Sequence, residues 1–422
     1  MSILVSILIL ISCLKRPMLG LALLLQINII RSLVSIDFNN PCFTCVNESD
    51  VLLGAVTPVL GLILILLRLD IRKKIVYVFD VFDGFFVLSV CTLFLTSLYA
   101  VDIIDSLGYS FRFLFLGCSF FVVSKILILN ASQYQYISYF KSFLIYSLFL
   151  SIIFGTFGCV LYLMKGFGQG AYRLTIPGVH AIPFSQLLGL GIFVSFIIFI
   201  TNGAFFNIKS KLKLNINIAI LPYLVLLLLA SQTRGIMLSL AVAILVYLTL
   251  SRVKIKRKVL YFSGTVMVLA LIVAIQYIDF EVLFQRLLSK KTAKSVDDRF
   301  IAYSDSLSLF IEHPLGIGPN SFKHYSILDY PHNFFLEFIS QYGIFGLFIS
   351  FYFIFMCLYM LLLTYKYGKT NLMYILLFTL FIYFFIETIF SFTLWMHKGM
   401  YVSMGLFAGY HYKFRTKNFS NS

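Results

Sequence analysis

Charged residues are scarce in this chain. Of 422 residues, 12% are Asp, Glu, Lys or Arg, while 60% are hydrophobic. A soluble domain carries about 25% charged residues. A water-soluble chain this apolar would have no polar cover for its surface, so lipid must be its solvent. Acidic residues are scarcer still, 17 against 33 basic ones, for a net charge of +16. That excess could suggest nucleic acid, but its distribution argues otherwise. The basic residues fall in short loops between apolar runs, as the positive-inside rule requires, and suit anionic headgroups. No small-residue cleavage site follows the first apolar run, Ser2 to Leu14, so no cleavable signal peptide is expected. Cys42 and Cys45 form a CxxC without a second pair, which argues against a zinc site. A local disulfide suits them if their loop is periplasmic. Cys13, Cys91, Cys118, Cys159 and Cys357 lie in apolar runs and read as small core hydrophobes. No carboxylate motif of metal-ligand type appears on the outer side. Asp297 and Asp298 are adjacent and would not share a helix face. Neither a metal nor a cofactor is expected.

A spanning helix needs about 20 apolar residues. Spans are expected near 3–14, 18–33, 51–68, 82–100, 111–129, 142–164, 184–205, 215–231, 235–251, 259–277, 343–364, 372–394 and 398–411. The first two are short enough for a tight hairpin or half-spans, so the fold class is an all-α polytopic helix bundle of about 12 transmembrane helices. Lys15-Arg16, Arg68 with Arg72-Lys73-Lys74, Lys141, Lys209 with Lys211 and Lys213, Arg252 to Lys258, Lys366 with Lys369, and Lys413 with Arg415 and Lys417 then share one side, the cytoplasmic one. The outer side receives Ser35–Asp50, Val101–Ser110, Lys165–Pro183, the Ser231–Gly235 turn and a long segment from Tyr277 to Gln341. The chain thus divides into an N-terminal transmembrane bundle (1–276), a long periplasmic loop (277–342) and C-terminal transmembrane helices with a cytoplasmic tail (343–422). Long loops are usually functional. Phe300, Tyr303, Leu307 and Phe310 have helical spacing and predict an amphipathic helix, lying on the membrane surface or merely packing the loop.

Three outer-side features could carry chemistry. The turn Ser231-Gln232-Thr233-Arg234-Gly235 places an arginine between two strongly apolar spans, where it is either functional or snorkelling to headgroups. The Lys165–Pro183 loop holds Arg173 and His180 among glycines at 166, 168, 170 and 178; Arg173 either binds an anion or is a solvated loop charge. The third runs from Arg299 to Gly346 and contains Pro331, His332 and Asn333. Proline favours the first helical turn, and a helix N-terminus disfavours imidazolium. His332 would then be neutral near pH 7 and able to accept a proton; the plainer reading is a capping or loop histidine. Five of the six histidines, His180, His313, His324, His332 and His397, fall on the outer side or its boundary.

The ordered set is more specific than its parts. A short outer turn ends in Arg234-Gly235, Arg299 precedes the amphipathic helix, and Pro314-Leu-Gly-Ile-Gly318 follows. Then come His332-Asn333 with Leu336-Glu337, and Tyr342-Gly-Ile-Phe-Gly346 opens the next span. This set resembles the O-antigen ligase/polymerase (Wzy–WaaL) superfamily over residues 232 to about 347, roughly a quarter of the chain. The resemblance implies a metal-independent, inverting glycosyltransferase of the bacterial inner membrane. Its donor would be an undecaprenyl-diphosphate-linked oligosaccharide, used on the periplasmic face. It implies His332 as base, Arg234 and Arg299 on the diphosphate with Arg173 adding to the anion site, and Asn333, Tyr330 and Glu337 as candidate sugar contacts. Membrane lipid and a chain-length regulator protein are implied partners. With its compact loop, the Ile/Phe/Asn/Lys-rich composition resembles the divergent polymerases of sugar-antigen clusters, and by that resemblance a polymerase is expected over a ligase. A transporter of lipid-linked sugars is the rival class, but it would carry ionisable residues within spans and internal repeats, and no clear repeat is present.

Overall fold

The computed structural model describes residues 1–35, 50–68, 75–164, 173–208, 210–251 and 290–420. The Cys42 and Cys45 pair, the basic runs Arg72-Lys73-Lys74 and Arg252 to Lys258, the glycines 166, 168 and 170, and the expected span 259–277 lie outside the described residues. Among the described residues the protein is all-α, without a strand, as expected for a polytopic membrane protein. Six described helices are long and apolar enough to cross a membrane, or up to seven if one bent pair is a single span. Four more apolar helices, Ser2–Lys15, Leu52–Leu67, Val81–Ser97 and Leu372–Thr388, are shorter. The described chain packs as two compact units.

The first unit comprises residues 1–65 and 133–244. Helix α1 (Ser2–Lys15) stops at Arg16-Pro17, and the second apolar run is itself broken at Gln26 into α2 (Pro17–Leu25) and α3 (Ile27–Val34), which meet at a bend of 71°. After a π-helical turn at Leu52–Val56 comes α4 (Thr57–Leu67). The centre of the unit is α8 (Gln133–Met164), α9 (Ala181–Ile200) and α10 (Lys211–Ser231), followed by α11 from Arg234 (Arg234–Ser251). Small and hydroxyl residues let these helices approach. A Cβ on Gly191 would lie 2.5 Å from Cβ of Ser151, whose hydroxyl donates to Leu187 O at 2.7 Å. The hydroxyl of Ser195 donates to Asn217 Oδ1 at 2.7 Å, and Asn217 Nδ2 returns a bond to Ser195 O at 3.0 Å. Apolar side chains gain little by associating within lipid, so close packing and such interhelical bonds hold the helices together.

The second unit comprises residues 66–132, 245–251 and 290–422. Asp80 caps α5 (Val81–Ser97) in a reciprocal arrangement with Asp83. The stretch 101–110, expected as a loop, is mostly helix α6 (Ile103–Arg112). It is started by Asp102, whose carboxylate accepts the Asp105 N–H at 3.0 Å. A π-helical turn at Phe113–Cys118 joins α6 to α7 (Ser119–Asn130). Then come α12 (Lys290–Glu312), α13 (Phe334–Tyr367), α14 (Leu372–Thr388) and α15 (Lys398–Ser420). Helix α15 lies against α7 through Gly405 and Gly409, where a Cβ would overlap Phe121 O and sit 2.8 Å from Lys125 O. The expected amphipathic helix is present as α12, but its buried stripe is Ala302, Ser306 and Leu309, packed with Ile317 and Phe322. Of the four aromatic and aliphatic residues that predict the stripe, Phe300 and Leu307 are exposed. Ala302 and Ser306 share the buried face with Leu309 because small residues permit close approach; apolar size alone misplaces it.

A buried charge cluster links α5 to α7. The Lys125 ammonium is fully buried, pairs with Asp80 at 2.9 Å and with Asp83, and lies over the Tyr77 ring at 5.1 Å. Removing one partner of a buried ion pair leaves an uncompensated charge. Lys125→Met should therefore cost about 3–5 kcal/mol, read as a lower unfolding temperature in detergent, and adding Asp83→Leu should recover part of the loss.

The segment Pro314–Gly318 docks backbone-first into a break in α13. Gly343, at φ 56° and ψ −134°, interrupts that helix. The Ile344 N–H donates to Pro314 O at 2.8 Å, and the Gly318 N–H to Gln341 O at 2.9 Å. A Cβ on Gly343 would overlap Pro314 O, and one on Gly316 would overlap Gln341 O. Only glycine combines that conformation with that approach. Gly343→Ala should lower stability by on the order of 3 kcal/mol, whereas Phe345→Ala on the exposed face should stay within about 0.5 kcal/mol; thermal unfolding of the two purified variants checks this.

Candidate functional site

In the second unit, His332 does not begin a helix. Asn333 is the N-cap of α13, its Oδ1 accepting the Phe335 and Leu336 N–H groups at 3.0 and 3.1 Å. Asparagine wins this position because its side chain reaches back to the first-turn amides, which proline and histidine do not do here. Pro331 and His332 thus precede the helix. His332 is left-handed, at φ 55°, and half-buried. A non-glycine residue held there costs on the order of 1–3 kcal/mol and persists only when its surroundings over-determine it. The imidazole lies against Tyr330, with ring centroids 4.2 Å apart and an interplanar angle of 42°.

The turn is fixed on several sides. Asn333 Nδ2 donates to Ile389 O at 3.2 Å. Below it, Glu337 is fully buried, and its Oε1 accepts the Tyr109 hydroxyl at 2.6 Å and the Thr393 hydroxyl. The preceding segment is tied to α6 as well. Ser106 donates to Pro319 O at 2.6 Å, Asn320 Nδ2 to Asp105 at 2.8 Å, and Lys323 pairs with Asp105. The Asn320 N–H donates to Gln341 Oε1 at 2.6 Å. Tyr99 donates to Leu315 O at 2.5 Å. Arg299 lies on α12, half-buried. Asn333 and Oε1 of Glu337 are engaged by the protein itself, so in this arrangement both side chains serve the fold of the turn. Tyr109 and Thr393 carry no sequence signal: one lies in an expected loop and the other at the end of an expected span.

In the first unit, Arg234 is the first residue of α11 and is exposed. The turn before it carries Gln232 at φ 55°, with Ser231 and Thr233 buried and their hydroxyls 3.0 Å apart. The Leu174 N–H donates to Ala230 O at 3.0 Å, which brings the Arg173 segment to this same turn. Residues 173–180 are further held by the Ser32 hydroxyl, which donates to Gly178 O at 2.9 Å. His180 caps α9, its Nδ1 accepting the Ile182 N–H at 3.3 Å. The residue is exposed, but atoms packed about its ring, and then the Arg173 guanidinium, lower its pKa from the ordinary value. A neutral ring is what the cap requires. The two arginines expected to share an anion site in this unit therefore stand on segments joined at one end of it.

Residues 219–351 match the family model described as O-Antigen ligase. This stretch is similar to the O-antigen ligase domain. The domain supports the O-antigen ligase/polymerase superfamily and a function of O-antigen ligase or polymerase type. Arg234, Arg299 and His332 all lie inside the matched stretch, and Arg173 lies before it. No curated protein matches the chain.

The cap at the head of α13 is open to test. Asn333→Ala should cost about 1 kcal/mol, in a range of roughly 0.5–2. Asn333→Ser keeps a cap acceptor, sets no charge against the Ile389 carbonyl, and should cost less; thermal unfolding of the two variants compares them.

Proposed function

We propose that the protein is a surface-polysaccharide polymerase. It joins undecaprenyl-diphosphate-linked oligosaccharide repeats at the periplasmic face of the bacterial inner membrane, by metal-independent inverting glycosyl transfer. The observation that carries this reading is that Arg234, Arg299 and the strained, over-determined His332 turn all fall inside the stretch similar to the O-antigen ligase domain. In this reading His332 takes the proton from an acceptor sugar hydroxyl. The acceptor oxygen attacks the donor's anomeric carbon, the new C–O bond forms on the opposite face, and the bond to undecaprenyl diphosphate breaks. Arg234, Arg299 and Arg173 bind the departing diphosphate. Guanidinium groups remain charged and bind phosphate oxygens bidentately. Held in place beforehand, they stabilise the negative charge that develops on the leaving group. Tyr330 offers a ring for sugar stacking beside the base. A chain-length regulator protein is the partner this reading calls for.

The domain's own description favours a second reading, transfer of the finished glycan from undecaprenyl diphosphate to lipid A-core. Lipopolysaccharide from a deletion strain separates the two. Loss of the ladder with one repeat still on the core supports the polymerase. Loss of every repeat, with lipid-linked polymer accumulating, supports the ligase.

His332→Ala should leave the protein folded and inserted while lowering transfer by about 10²-fold or more, so that long surface chains disappear. Normal long chains from that variant would refute the assignment.

A further inference from the structure

Glu337 is a buried carboxylate that the transfer reading leaves unused. We infer that Glu337, held by Tyr109 and Thr393, is a positioning residue that fixes the His332 turn in its reactive geometry. The inference rests on His332 being the base of a glycosyl transfer. Three observations carry it. First, Glu337 is 0% exposed, so it does not contact a sugar in this arrangement. Second, one of its oxygens gathers three elements. Tyr109 comes from α6, Thr393 from the stretch between α14 and α15, and Glu337 itself from the first turn of α13; the two hydroxyl oxygens are also 2.6 Å from each other. Third, that first turn abuts the histidine. The Glu337 N–H donates to Asn333 O at 2.9 Å, and Asn333 is the residue next to His332.

A left-handed histidine relaxes unless the backbone on its C-terminal side is held. The Asn333 cap holds that backbone locally, and the bond from Asn333 to Ile389 holds it from the end of α14. Glu337 adds the third anchorage, and a buried hydroxyl–carboxylate cluster is stiffer than apolar contacts because its geometry is directional. A misplacement of about 1 Å at a reacting group can cost on the order of 10²-fold in rate. Loosening this anchorage should therefore appear in the chemical step and not in donor binding.

The test compares Glu337→Ala, Glu337→Gln, Tyr109→Phe and His332→Ala, purified in detergent, by their kcat and KM for a lipid-diphosphate-linked oligosaccharide donor. Glu337→Gln keeps an oxygen acceptor for both hydroxyls and should hold kcat within about tenfold of the parent. Glu337→Ala should lose about 10²-fold in kcat with KM little changed. Tyr109→Phe removes one donor and should lose about tenfold in kcat, again at nearly constant KM; it decides the matter if Glu337→Ala fails to fold. Parental kcat in Tyr109→Phe or Glu337→Ala overturns the inference. So does a loss confined to KM, which would return Glu337 to substrate contact, or a folded Glu337→Gln as inactive as Glu337→Ala, which would demand the carboxylate's own chemistry. Full activity in His332→Ala overturns the transfer reading instead. Inactivity there beside a fully active Glu337→Ala overturns the positioning role alone.

Discussion

The meeting of two backbones at Gly343 is the constraint on which the second unit depends. With Ile344 donating to Pro314 and Gly318 donating to Gln341, the loop after α12 becomes an extension of the break in α13. Breaking a helix leaves amides and carbonyls without their usual partners, and inside an apolar unit that is costly. The loop supplies those partners. In return the loop is pinned to the first turns of α13, the helix into which the His332 turn leads.

The remaining polar contacts of this region follow from that docking. Asp105 on α6 receives Asn320 and Lys323, Ser106 reaches Pro319, and Tyr99 reaches Leu315. Each is a side chain answering a loop whose path is already fixed. The strained histidine rests on the same foundation, because the helix that carries its cap is held at the break below and at Glu337 within its first turn.

Much of this is legible in the amino-acid order, and the gaps have physical causes. The apolar runs mark the long helices because crossing lipid demands length and apolarity together. Pro314–Gly318 and Tyr342–Gly346 are visible as two glycine-bearing motifs. That they bond to each other is not, since contact between distant segments leaves no local periodicity. The buried face of α12 escapes a reading by apolar size because Ala302 and Ser306 are small, and smallness signals close packing only once a neighbour is known. Pro331 suggests a helix start that would take in His332, yet Asn333 caps better and the helix begins after it. Tyr109 and Thr393 matter only through Glu337, and Tyr109 stands 228 positions away from it in the chain.

The buried Lys125 cluster bears on how the protein is made. Asp80 and Asp83 leave the ribosome before Lys125, so α5 reaches the bilayer with its acids unmatched, and α7 later arrives with an unmatched ammonium. Asp80 and Asp83 stand at the start of α5 and Lys125 within the last two turns of α7, so each costs less than the roughly 2.5–3.5 kcal/mol of a charge at the centre of a spanning helix. Neither helix settles comfortably alone, and the two become compatible with lipid when they meet. The ion pairs therefore have an order in time: the acids of α5 find their partner only after α7 has been made.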